Sequence, residues 1–462
     1  MDLVVVGGGL AGLVAAARAS ELGCSVTVLE AGADERYVCN ARFSGGVFHI
    51  AFTEIKSPPE VLRAAIDRVT DGKADSAQAD MLAGNSGRLV DWLRGQGAQF
   101  IRTPVAWQSH ILAPPRPIVA GQEWMGRGPD VMLRRLVEKI TARGGKVERG
   151  TRARALIMED DRCVGVEAET AGQMRRFPAK AVLLADGGFQ ADLELVGKNI
   201  APAPGGVKQR GAATGKGDGL RMATAVGAAT SALDRFYGHL LCRDAMTNDR
   251  VWPYPELDAL ATAGILVDPS GRRFVDEGIG GVAIANAIAR LADPLSVTVV
   301  FDAKIWEGPG RSARIPANPT LANAGGTILS APTLGQLAAA AGIDPTGLAT
   351  TVAVHNAAIA AGDSTTLRPV RSTDRFTPMP VASGPFMAIP LCAGITYTMG
   401  GLRIDAGTRV LKSDGQPIPG LYAAGSTTGG LEGGDRSAYI GGLTKAGVQG
   451  LVAAEHVAAN RT

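Results

Sequence analysis

The sequence DLVVVGGGLAGLVAAARASELGCSVTVLE, residues 2–30, decides the fold of this chain. Residues 2–6 are a largely β-branched run, which is typical of a strand buried on both faces. Three glycines follow directly at residues 7–9, and a helix is predicted over residues 13–22. A second strand is predicted over residues 24–29. The stretch therefore predicts a β-α-β unit whose first turn is made of glycine.

The glycine turn fits the pattern GxGxxG with Gly7, Gly9 and Gly12. Glycines at these positions permit a tight turn and let a pyrophosphate approach the backbone at the helix N-terminus, where unpaired N–H groups and the helix dipole favour anions. Glu30 closes the second strand, where a carboxylate can accept hydrogen bonds from ribose hydroxyls. A bare GxGxxG also occurs in turns without ligands, but this context indicates a dinucleotide. The acid disfavours a 2′-phosphate, so FAD and NAD remain and NADP does not.

Length and composition restrict the possible classes of protein. A chain of 462 residues predicts two or three domains. The net charge of +3 permits an anionic substrate, but no dense Lys/Arg block supports nucleic-acid binding. The five cysteines are widely spaced and lack CxxC motifs, which predicts no metal site and a reducing, cytoplasmic location. No apolar run reaches the ~20 residues of a membrane helix, so no membrane span is expected.

Further segments distinguish FAD from NAD. Residues 147–166 predict a hairpin, and residues 179–189, AKAVLLADGGF, predict a buried strand that ends in a glycine pair. Residues 418–425 predict another strand that ends at glycine. Gly441-Gly442 then opens a helix-compatible stretch, residues 444–458. Such a turn would aim N–H groups and a positive dipole end at a flavin pyrimidine. The alternative is a glycine-rich loop before a surface helix.

Several motifs along nearly the whole chain resemble those of one flavoprotein family. It includes fumarate reductases, succinate dehydrogenase flavoprotein subunits, tricarballylate-type dehydrogenases and 3-ketosteroid dehydrogenases. The motifs are VVVGGGLAGLVAAARA at residues 4–19, VLLADGGF at 182–189, TGKGDGLRMATAVGA at 214–228, GRRFVDE at 271–277, TMGGLRID at 398–405 and PIPGLYAAGSTTGG at 417–430. Together they are specific for the family and not for one substrate. The resemblance makes FAD the expected dinucleotide.

The resemblance implies an α/β fold: a Rossmann-like (glutathione reductase-type) FAD-binding domain with an inserted α+β cap domain. We expect the FAD-binding domain at residues 1–235 and 366–462 and the cap at 236–365. The composition of the cap agrees, because residues 322–363 are Ala-rich with helical periodicity. Such a cap can close over the flavin and exclude water during hydride transfer.

The resemblance also implies the cofactor site. Family members with covalent flavin carry a histidine near the loop that resembles Ser44-Gly45-Gly46; residues 40–44 contain none, and His49 lies slightly late, so non-covalent FAD is expected. Ser426 and Asp186 replace a usual acid and a usual threonine, and both keep a hydrogen-bonding group. The predicted cofactor-binding residues are Gly7, Gly9, Leu10, Ala11, Gly12, Glu30, Ala31, Arg42, Ser44, Gly45, Gly46, Ala153, Ala185, Asp186, Gly187, Gly188, Gly425, Ser426, Gly442 and Leu443.

The catalytic positions depart from those of fumarate reductases. The arginine proton donor expected after GRRFVDE is missing, Tyr397 replaces the histidine expected before TMGG, and Tyr439 aligns with the arginine expected before the final glycine pair. In 3-ketosteroid dehydrogenases and tricarballylate-like members a tyrosine also precedes this turn. Arg436, in a longer loop, is a candidate carboxylate anchor. His239 lies where the family often places a substrate-anchoring histidine.

The leading hypothesis is an FAD-dependent dehydrogenase that introduces a C=C bond α,β to a ketone or carboxylate of a small molecule and passes electrons to an external acceptor. Tyr397 and Tyr439 would handle the proton and polarise the carbonyl, with Arg436 and His239 as anchors. One alternative is an ene-reductase like fumarate or urocanate reductase with an external donor, and another is a flavin-binding protein without turnover. Each side chain also has a structural alternative: packing for the tyrosines, a core position for His239 and a surface position for Arg436.

Overall fold

The computed structural model describes residues 1–434 and 436–461. The strands are β1 (Leu3–Val6), β2 (Val26–Leu29), β3 (His49–Ile50), β4 (Thr53–Glu54), β5 (Phe100–Ile101), β6 (Ile111–Leu112), β7 (Lys146–Glu148), β8 (Thr151–Glu159), β9 (Arg162–Thr170), β10 (Gln173–Pro178), β11 (Ala181–Leu184), β12 (Lys208–Gln209), β13 (Thr230–Ser231), β14 (Phe236–Cys242), β15 (Ile265–Val267), β16 (Thr298–Asp302), β17 (Leu329–Ala331), β18 (Phe386–Thr398), β19 (Gly401–Leu402), β20 (Arg409–Leu411) and β21 (Pro417–Ala423).

The helices are α1 (Leu10–Glu21), α2 (Asn40–Phe43), α3 (Pro59–Thr70), α4 (Ser76–Gly95), α5 (Gly128–Ala142), α6 (Leu193–Asn199), α7 (Asp218–Ala225), α8 (Asp258–Ala263), α9 (Gly281–Ala289), α10 (Ala303–Glu307), α11 (Ala317–Asn323), α12 (Leu334–Ala341), α13 (Pro345–Ala360) and α14 (Gly442–Ala459). No helix in the described part of the chain has both the length and the apolar character that crossing a membrane requires.

The first sheet is the dinucleotide-binding sheet that the opening residues predict. Its order is β20-β21-β11-β1-β2-β7, and all neighbours are parallel except β20 and β21. β1, β2 and β11 are buried along their whole length, as a parallel sheet covered on both faces requires. Helices α1 and α14 pack against each other. The turns after β1, β11 and β21 therefore meet at one edge of the sheet, where α/β proteins bind ligands.

Local boundaries differ slightly from the sequence-based expectations. Helix α1 begins at Leu10 and not at residue 13, because extended Gly9 (φ −73°, ψ −175°) ends the turn and acts as the N-cap. The hairpin expected in residues 147–166 is present as β8 and β9, and β10 extends it to a three-stranded antiparallel sheet. The predicted last helix is α14, which begins directly at Gly442.

A second sheet lies in the cap. Its central strand β18 pairs with β12, β14, β16 and β17, and β16 also pairs with β15. β18 covers residues 386–398, beyond the expected cap boundary at residue 365, and a division there would separate it from its partners. The pairing favours a cap that includes β18. The division into 1–235, 236–365 and 366–462 otherwise stays a prediction.

A buried ion cluster holds the cap segments together. The carboxylate of Glu277, which is fully buried, accepts hydrogen bonds from Arg273 Nε (3.0 Å), Arg371 Nη1 (2.9 Å) and the backbone N–H of Leu266 (3.1 Å). Arg273 and Glu277 belong to the motif GRRFVDE, and Arg371 lies beyond residue 365. The cluster therefore also ties the segment after residue 365 to the cap.

Candidate active site

One large cavity, with a volume of about 880 Å³, brings together the glycine turns and the catalytic candidates. Its wall is formed on one side by the turns after β1, β11 and β21 and by the first turn of α14. On the other side it is formed by β14, the end of β18 and the segments at residues 253–256 and 312–315. The cavity thus lies where the FAD-type sheet meets the cap.

The first turn of α1 is shaped for an anion. Gly7 has φ +102°, and a Cβ at Gly12 would lie 2.0 Å from the carbonyl oxygen of Gly7, so both positions require glycine. The N-cap Gly9 offers no side-chain cap, and Leu10 and Ala11 line the cavity. The first N–H groups of α1 are therefore free to bind a pyrophosphate.

Glu30 stabilises this turn as well as lining the cavity. Its carboxylate accepts hydrogen bonds from the backbone N–H groups of Gly8 (2.8 Å) and Gly32 (2.6 Å). The hydroxyl of Tyr37 donates to the carbonyl of Gly8 (2.7 Å). Burial raises the pKa of Glu30. The acid at the end of β2 thus connects the turn after β1 with the segment after β2.

The first turn of α14 forms a second anion-favouring corner. Gly441 has φ +141°, and a Cβ at Gly442 would lie 3.2 Å from the ring of Tyr397. The N-cap Gly441 has no capping side chain, and among the described residues only the long contact between the Gly442 N–H and the Tyr439 hydroxyl (3.4 Å) occupies the first turn, so its N–H groups and positive dipole end face the cavity. Two glycine-opened helix termini on one cavity match the two electron-rich parts of FAD, the pyrophosphate and the reduced flavin pyrimidine.

The predicted cofactor residues line this cavity with three exceptions: Gly12, Arg42 and Gly188. Arg42 forms a fully buried ion pair with Asp130, and its guanidinium stacks over the ring of Tyr37 at 4.8 Å. Arg42 therefore does not line the cavity in this structure, because its guanidinium is held by Asp130, and its contact with the cofactor stays a prediction that this position does not favour. Gly12 and Gly188 instead permit close backbone packing. Which lining residues bind FAD stays a prediction.

His49 and Asp186, which also line the cavity, have shifted pKa values. Burial lowers the pKa of His49 to about 4, and its Nδ1 accepts a hydrogen bond from the N–H of Phe52 (3.1 Å), so the ring is neutral. Burial raises the pKa of Asp186 to about 6. Its carboxylate accepts from the N–H of Gly219 (2.7 Å) and the hydroxyl of Thr427 (3.2 Å). Asp186 thus organises the turn after β11.

Three tyrosines form an aromatic cluster in the cavity wall. Tyr237 lies opposite Tyr397 in the β14–β18 pair, with ring centroids 5.2 Å apart. Tyr237 also stacks on Tyr439 at 4.0 Å. Burial raises the pKa of each phenol, so all three are neutral proton donors. Sequence analysis missed Tyr237, although its i, i+2 spacing to His239 on a strand was a usable indication.

His239 links the tyrosine cluster to a carboxylate. Its Nε2 lies 2.8 Å from the hydroxyl oxygen of Tyr237, and its Nδ1 lies 2.6 Å from Asp258 Oδ2. The carboxylate holds the ring proton on Nδ1, so Nε2 accepts the hydrogen bond from Tyr237. The three residues form a hydrogen-bonded chain from the cavity to the start of α8.

Tyr397 and Tyr439 have different surroundings. The hydroxyl of Tyr397 donates to Glu432 (2.9 Å), and this buried carboxylate also pairs with Lys445 (3.3 Å). The hydroxyl of Tyr439 lies in the cavity and accepts a long hydrogen bond from the N–H of Gly442 (3.4 Å). The geometry therefore does not support Tyr397 as the group that handles the proton.

Arg436 does not line the cavity. Its guanidinium pairs with Asp374 (3.0 Å) and Asp71 (3.6 Å), and the side chain is 40% exposed. These two carboxylates hold it outside the cavity, so its role as a substrate anchor stays a prediction that this position does not favour. No group of three or more His, Cys, Asp or Glu side chains suited to a metal is found among the residues described.

The chain matches the model of the FAD binding domain family over residues 2–441. This chain belongs to that family. FAD is therefore its cofactor, and the glycine-lined half of the cavity fits it. The identification agrees with the resemblance that the motifs indicate.

Known relatives of this FAD binding domain protein act on carbon–carbon bonds. It is 27% identical over 448 residues to the fumarate reductase (cytochrome) of Shewanella frigidimarina, covering 94% of this chain and 73% of that protein. It is 29% identical over 288 residues to 4-oxocyclohexanecarboxylate 2-dehydrogenase of Sinomonas cyclohexanicum, covering 58% of this chain and 48% of that protein. The fold resembles 3-ketosteroid Δ1-dehydrogenase of Sterolibacterium denitrificans (TM-score 0.76, 21% identity, 99% of both chains). The chain is an FAD-dependent oxidoreductase of CH–CH bonds.

Proposed function

We propose that this enzyme is a dehydrogenase that desaturates its substrate α,β to a ketone, with FAD bound non-covalently. The observation that carries the proposal is the position of Tyr439. Its hydroxyl lies 3.4 Å from the N–H of Gly442 at the start of α14, so the two donors can bind one carbonyl oxygen together. The Tyr439 hydroxyl and the Gly442 N–H stabilise the negative charge that develops on this oxygen as an enolate forms. The N–H groups of Leu443 and Thr444, also in the first turn of α14, remain for the flavin pyrimidine.

The relay of Tyr237, His239 and Asp258 supplies the base. A ketone held by Tyr439 has acidic α C–H bonds, and Tyr237 stacks on Tyr439 beside it. Tyr237 takes the α-proton as its own proton moves to His239 Nε2, and Asp258 stabilises the resulting imidazolium. Burial raises the pKa of Tyr237, so its phenol needs His239 as the proton acceptor. Bound FAD supplies the hydride acceptor for the β-carbon.

The names of two similar proteins support a ketone as the substrate. One matched relative is named for a 4-oxo acid, and one structural neighbour is named for a 3-ketosteroid. This chain also carries tyrosines at positions 397 and 439, where the resemblance to fumarate reductases implies histidine and arginine. An external electron acceptor completes the proposed cycle.

A second candidate is an ene-reductase that receives electrons from an external donor. The observation in its favour is that the raised pKa values keep Tyr237 and Tyr439 protonated, as proton donors must be. The same relay run in reverse protonates the α-carbon of an unsaturated substrate. A fumarate reductase is among the matched relatives.

Non-covalent flavin and a reducing compartment are part of the proposal. The flavin loop has no histidine at residues 40–44, and His49 is buried and neutral. All five cysteines are free and buried, which suits a reducing cytoplasm. Precipitation with acid should release the yellow cofactor into the supernatant, and colour that stays on the protein would contradict non-covalent binding.

The test is anaerobic mixing of the holoenzyme with saturated cyclic ketones while flavin absorbance is followed. We expect bleaching, slowed about 10²–10⁴-fold by Tyr439→Phe and by Tyr237→Phe. Tyr422→Phe is the matched control, because its hydroxyl bonds His456 (3.1 Å) away from the cavity.

Three outcomes separate the hypotheses. Wild-type rates in both phenylalanine variants would remove the tyrosines from the mechanism. If only unsaturated compounds oxidise the reduced enzyme, the reductase is correct. No reaction in either direction with any compound tested would favour a protein that binds flavin without turnover.

A further inference from the structure

The cap side of the cavity carries an excess of arginine. Arg116, Arg210 and Arg314 all line it. Arg210 is fully engaged, since its guanidinium binds Glu256 (2.7 Å), the hydroxyl of Thr396 (3.0 Å) and a backbone carbonyl. Arg116 and Arg314 form no ion pair with any of the described residues. Two positive charges on the cavity wall thus have no ion-pair partner among the residues that the structure describes.

Arg116 is the more informative of the two, because it is only 6% exposed. Its Nη2 donates to the carbonyl of Phe43, and its Nε has no hydrogen-bond partner. Burial and the neighbouring arginines, Arg127 and Arg314 among them, lower the pKa of Arg116. A buried guanidinium without a carboxylate is strongly destabilising unless an anion joins it.

Arg314 reaches the same part of the cavity from the cap. Its Nη1 lies 4.0 Å from the position that a Cβ on Gly45 would occupy, so it extends across to the flavin loop. The guanidinium of Arg116 stacks over the ring of Tyr254 at 5.0 Å, and Tyr254 also lines the cavity. The two arginines therefore face the cavity that contains the tyrosine cluster.

The anions of FAD have other places to bind. The pyrophosphate is expected at the free N–H groups of α1, and the charge of the reduced flavin at the start of α14. Neither helix terminus contains Arg116 or Arg314. The unpaired arginines are thus left for the substrate.

We propose that Arg116 and Arg314 bind a carboxylate of the substrate, at the end remote from its ketone, so that the substrate is an oxo-acid. The inference rests on the proposed function for the ketone end only. A carboxylate suits the site because its two oxygens match the planar donor edge of a guanidinium. Arg116 sets the specificity, and Arg314, which is partly exposed, assists.

The test compares charged and neutral ligands on the holoenzyme. The reactive pair is 4-oxocyclohexane-1-carboxylate and its methyl ester, with the rate of flavin reduction as the readout. The unreactive pair is cyclohexanecarboxylate and cyclohexanecarboxamide, with Kd from the perturbation of flavin absorbance. The variants are Arg116→Gln and Arg314→Gln. Arg127→Gln is the matched control, because Arg127 is equally buried and next to Arg116 but does not line the cavity.

We expect Arg116→Gln to weaken the binding of both carboxylates by about 10- to 100-fold. The binding of the ester and of the amide should be unchanged. Arg314→Gln should weaken the binding of the carboxylates by roughly 2- to 5-fold, since solvent screens the charge of Arg314. Arg127→Gln should leave the binding of all four ligands unchanged. Unchanged kinetics with the ester would also show that the Arg116 variant is folded.

Other outcomes would overturn the proposal. Equal losses for charged and neutral ligands would make Arg116 a packing residue, and loss of FAD from the variant would assign it to the cofactor. If Arg116→Gln weakens the binding of cyclohexanecarboxylate while neither ketone reduces the flavin of the wild-type enzyme, the carboxylate site is kept and the proposed function is rejected. If both ketones reduce the flavin at the same rate, with no preference for the acid, the proposed function is kept and the carboxylate site is rejected.

Discussion

The two sides of the cavity are built from different parts of the chain. The cofactor side consists of backbone: N–H groups at the starts of α1 and α14, brought close by glycines where a Cβ would clash. The side where we propose that the substrate binds consists of side chains: a tyrosine cluster, the His239–Asp258 pair and two arginines without an ion pair among the described residues. A backbone site depends on consecutive residues and is insensitive to side chains elsewhere. A side-chain site depends on long-range pairing, so distant substitutions alter it.

The largest effect is expected on the backbone side. Gly12→Ala places a Cβ 2.0 Å from the carbonyl oxygen of Gly7, so the turn must move away from the pyrophosphate position. We expect FAD content to fall at least about tenfold and the free energy of unfolding to fall by roughly 3 kcal/mol or more. The flavin-to-protein absorbance ratio and denaturant unfolding measure this.

The control for Gly12→Ala is Gly87→Ala in α4, where no atom lies within 4 Å of the added Cβ. This variant should keep its FAD and gain up to about 1 kcal/mol from helix propensity. Full FAD content in the Gly12 variant would show that the α1 turn tolerates displacement, and the contrast between the two sides of the cavity would be lost.

A comparable loss of stability without loss of cofactor is expected in the cap. Glu277→Gln keeps the side-chain shape but leaves the guanidinium groups of Arg273 and Arg371 buried without a carboxylate. The free energy of unfolding should fall by about 3–5 kcal/mol. Calorimetry measures cap unfolding, while flavin fluorescence reports FAD release.

The matched control is Glu307→Gln, which removes an exposed ion pair with Arg311 (2.7 Å) and should leave the free energy of unfolding nearly unchanged, because solvent screens this pair. If Glu277→Gln expels FAD at the temperature at which the cap unfolds, the two sides of the cavity unfold as one unit. FAD release well above that temperature would show that they are independent.

The smallest effect is a pH dependence at Asp186 in the apoprotein. Burial raises its pKa from an ordinary value near 3.8 to about 6, so the folded state binds this proton more tightly than the unfolded state. The penalty of ionising it is absent below pH 4, grows between pH 4 and 6 and is complete above pH 6. Asp186→Asn should stabilise the apoprotein by about 1–3 kcal/mol at pH 8 and not at pH 4. Denaturant midpoints at the two pH values decide this, and an equal shift at both would contradict the burial argument.

Local sequence predicted the cofactor half well, because each element there is contiguous. The β1–α1–β2 unit, the β8–β9 hairpin and helix α14 are present as expected, and most predicted cofactor residues line the cavity. Arg42 does not line it, since it is held by Asp130, which only the fold brings beside it.

The substrate half was predicted only in part. Tyr439 and His239 line the cavity as the family resemblance implies. Arg436 does not, because Asp71 and Asp374, from two distant segments, hold it at the surface. Arg116 had no motif around it and became visible only with the fold, and the spacing of Tyr237 to His239 gained its meaning only once β14 was seen to line the cavity.

The sequence by itself determined that this chain is a dinucleotide-binding α/β protein, because the strand, the glycine turn, the helix and the acid at the end of the next strand all lie in one contiguous stretch. The motifs of the family resemblance then made FAD the expected dinucleotide. Only the tertiary structure decided which side chains perform the chemistry. β14 must pair with β18 before Tyr237 meets Tyr397, and the cap must pack on the sheet before Arg314 approaches Gly45. Contacts between residues so far apart depend on the whole fold, and no local pattern encodes them.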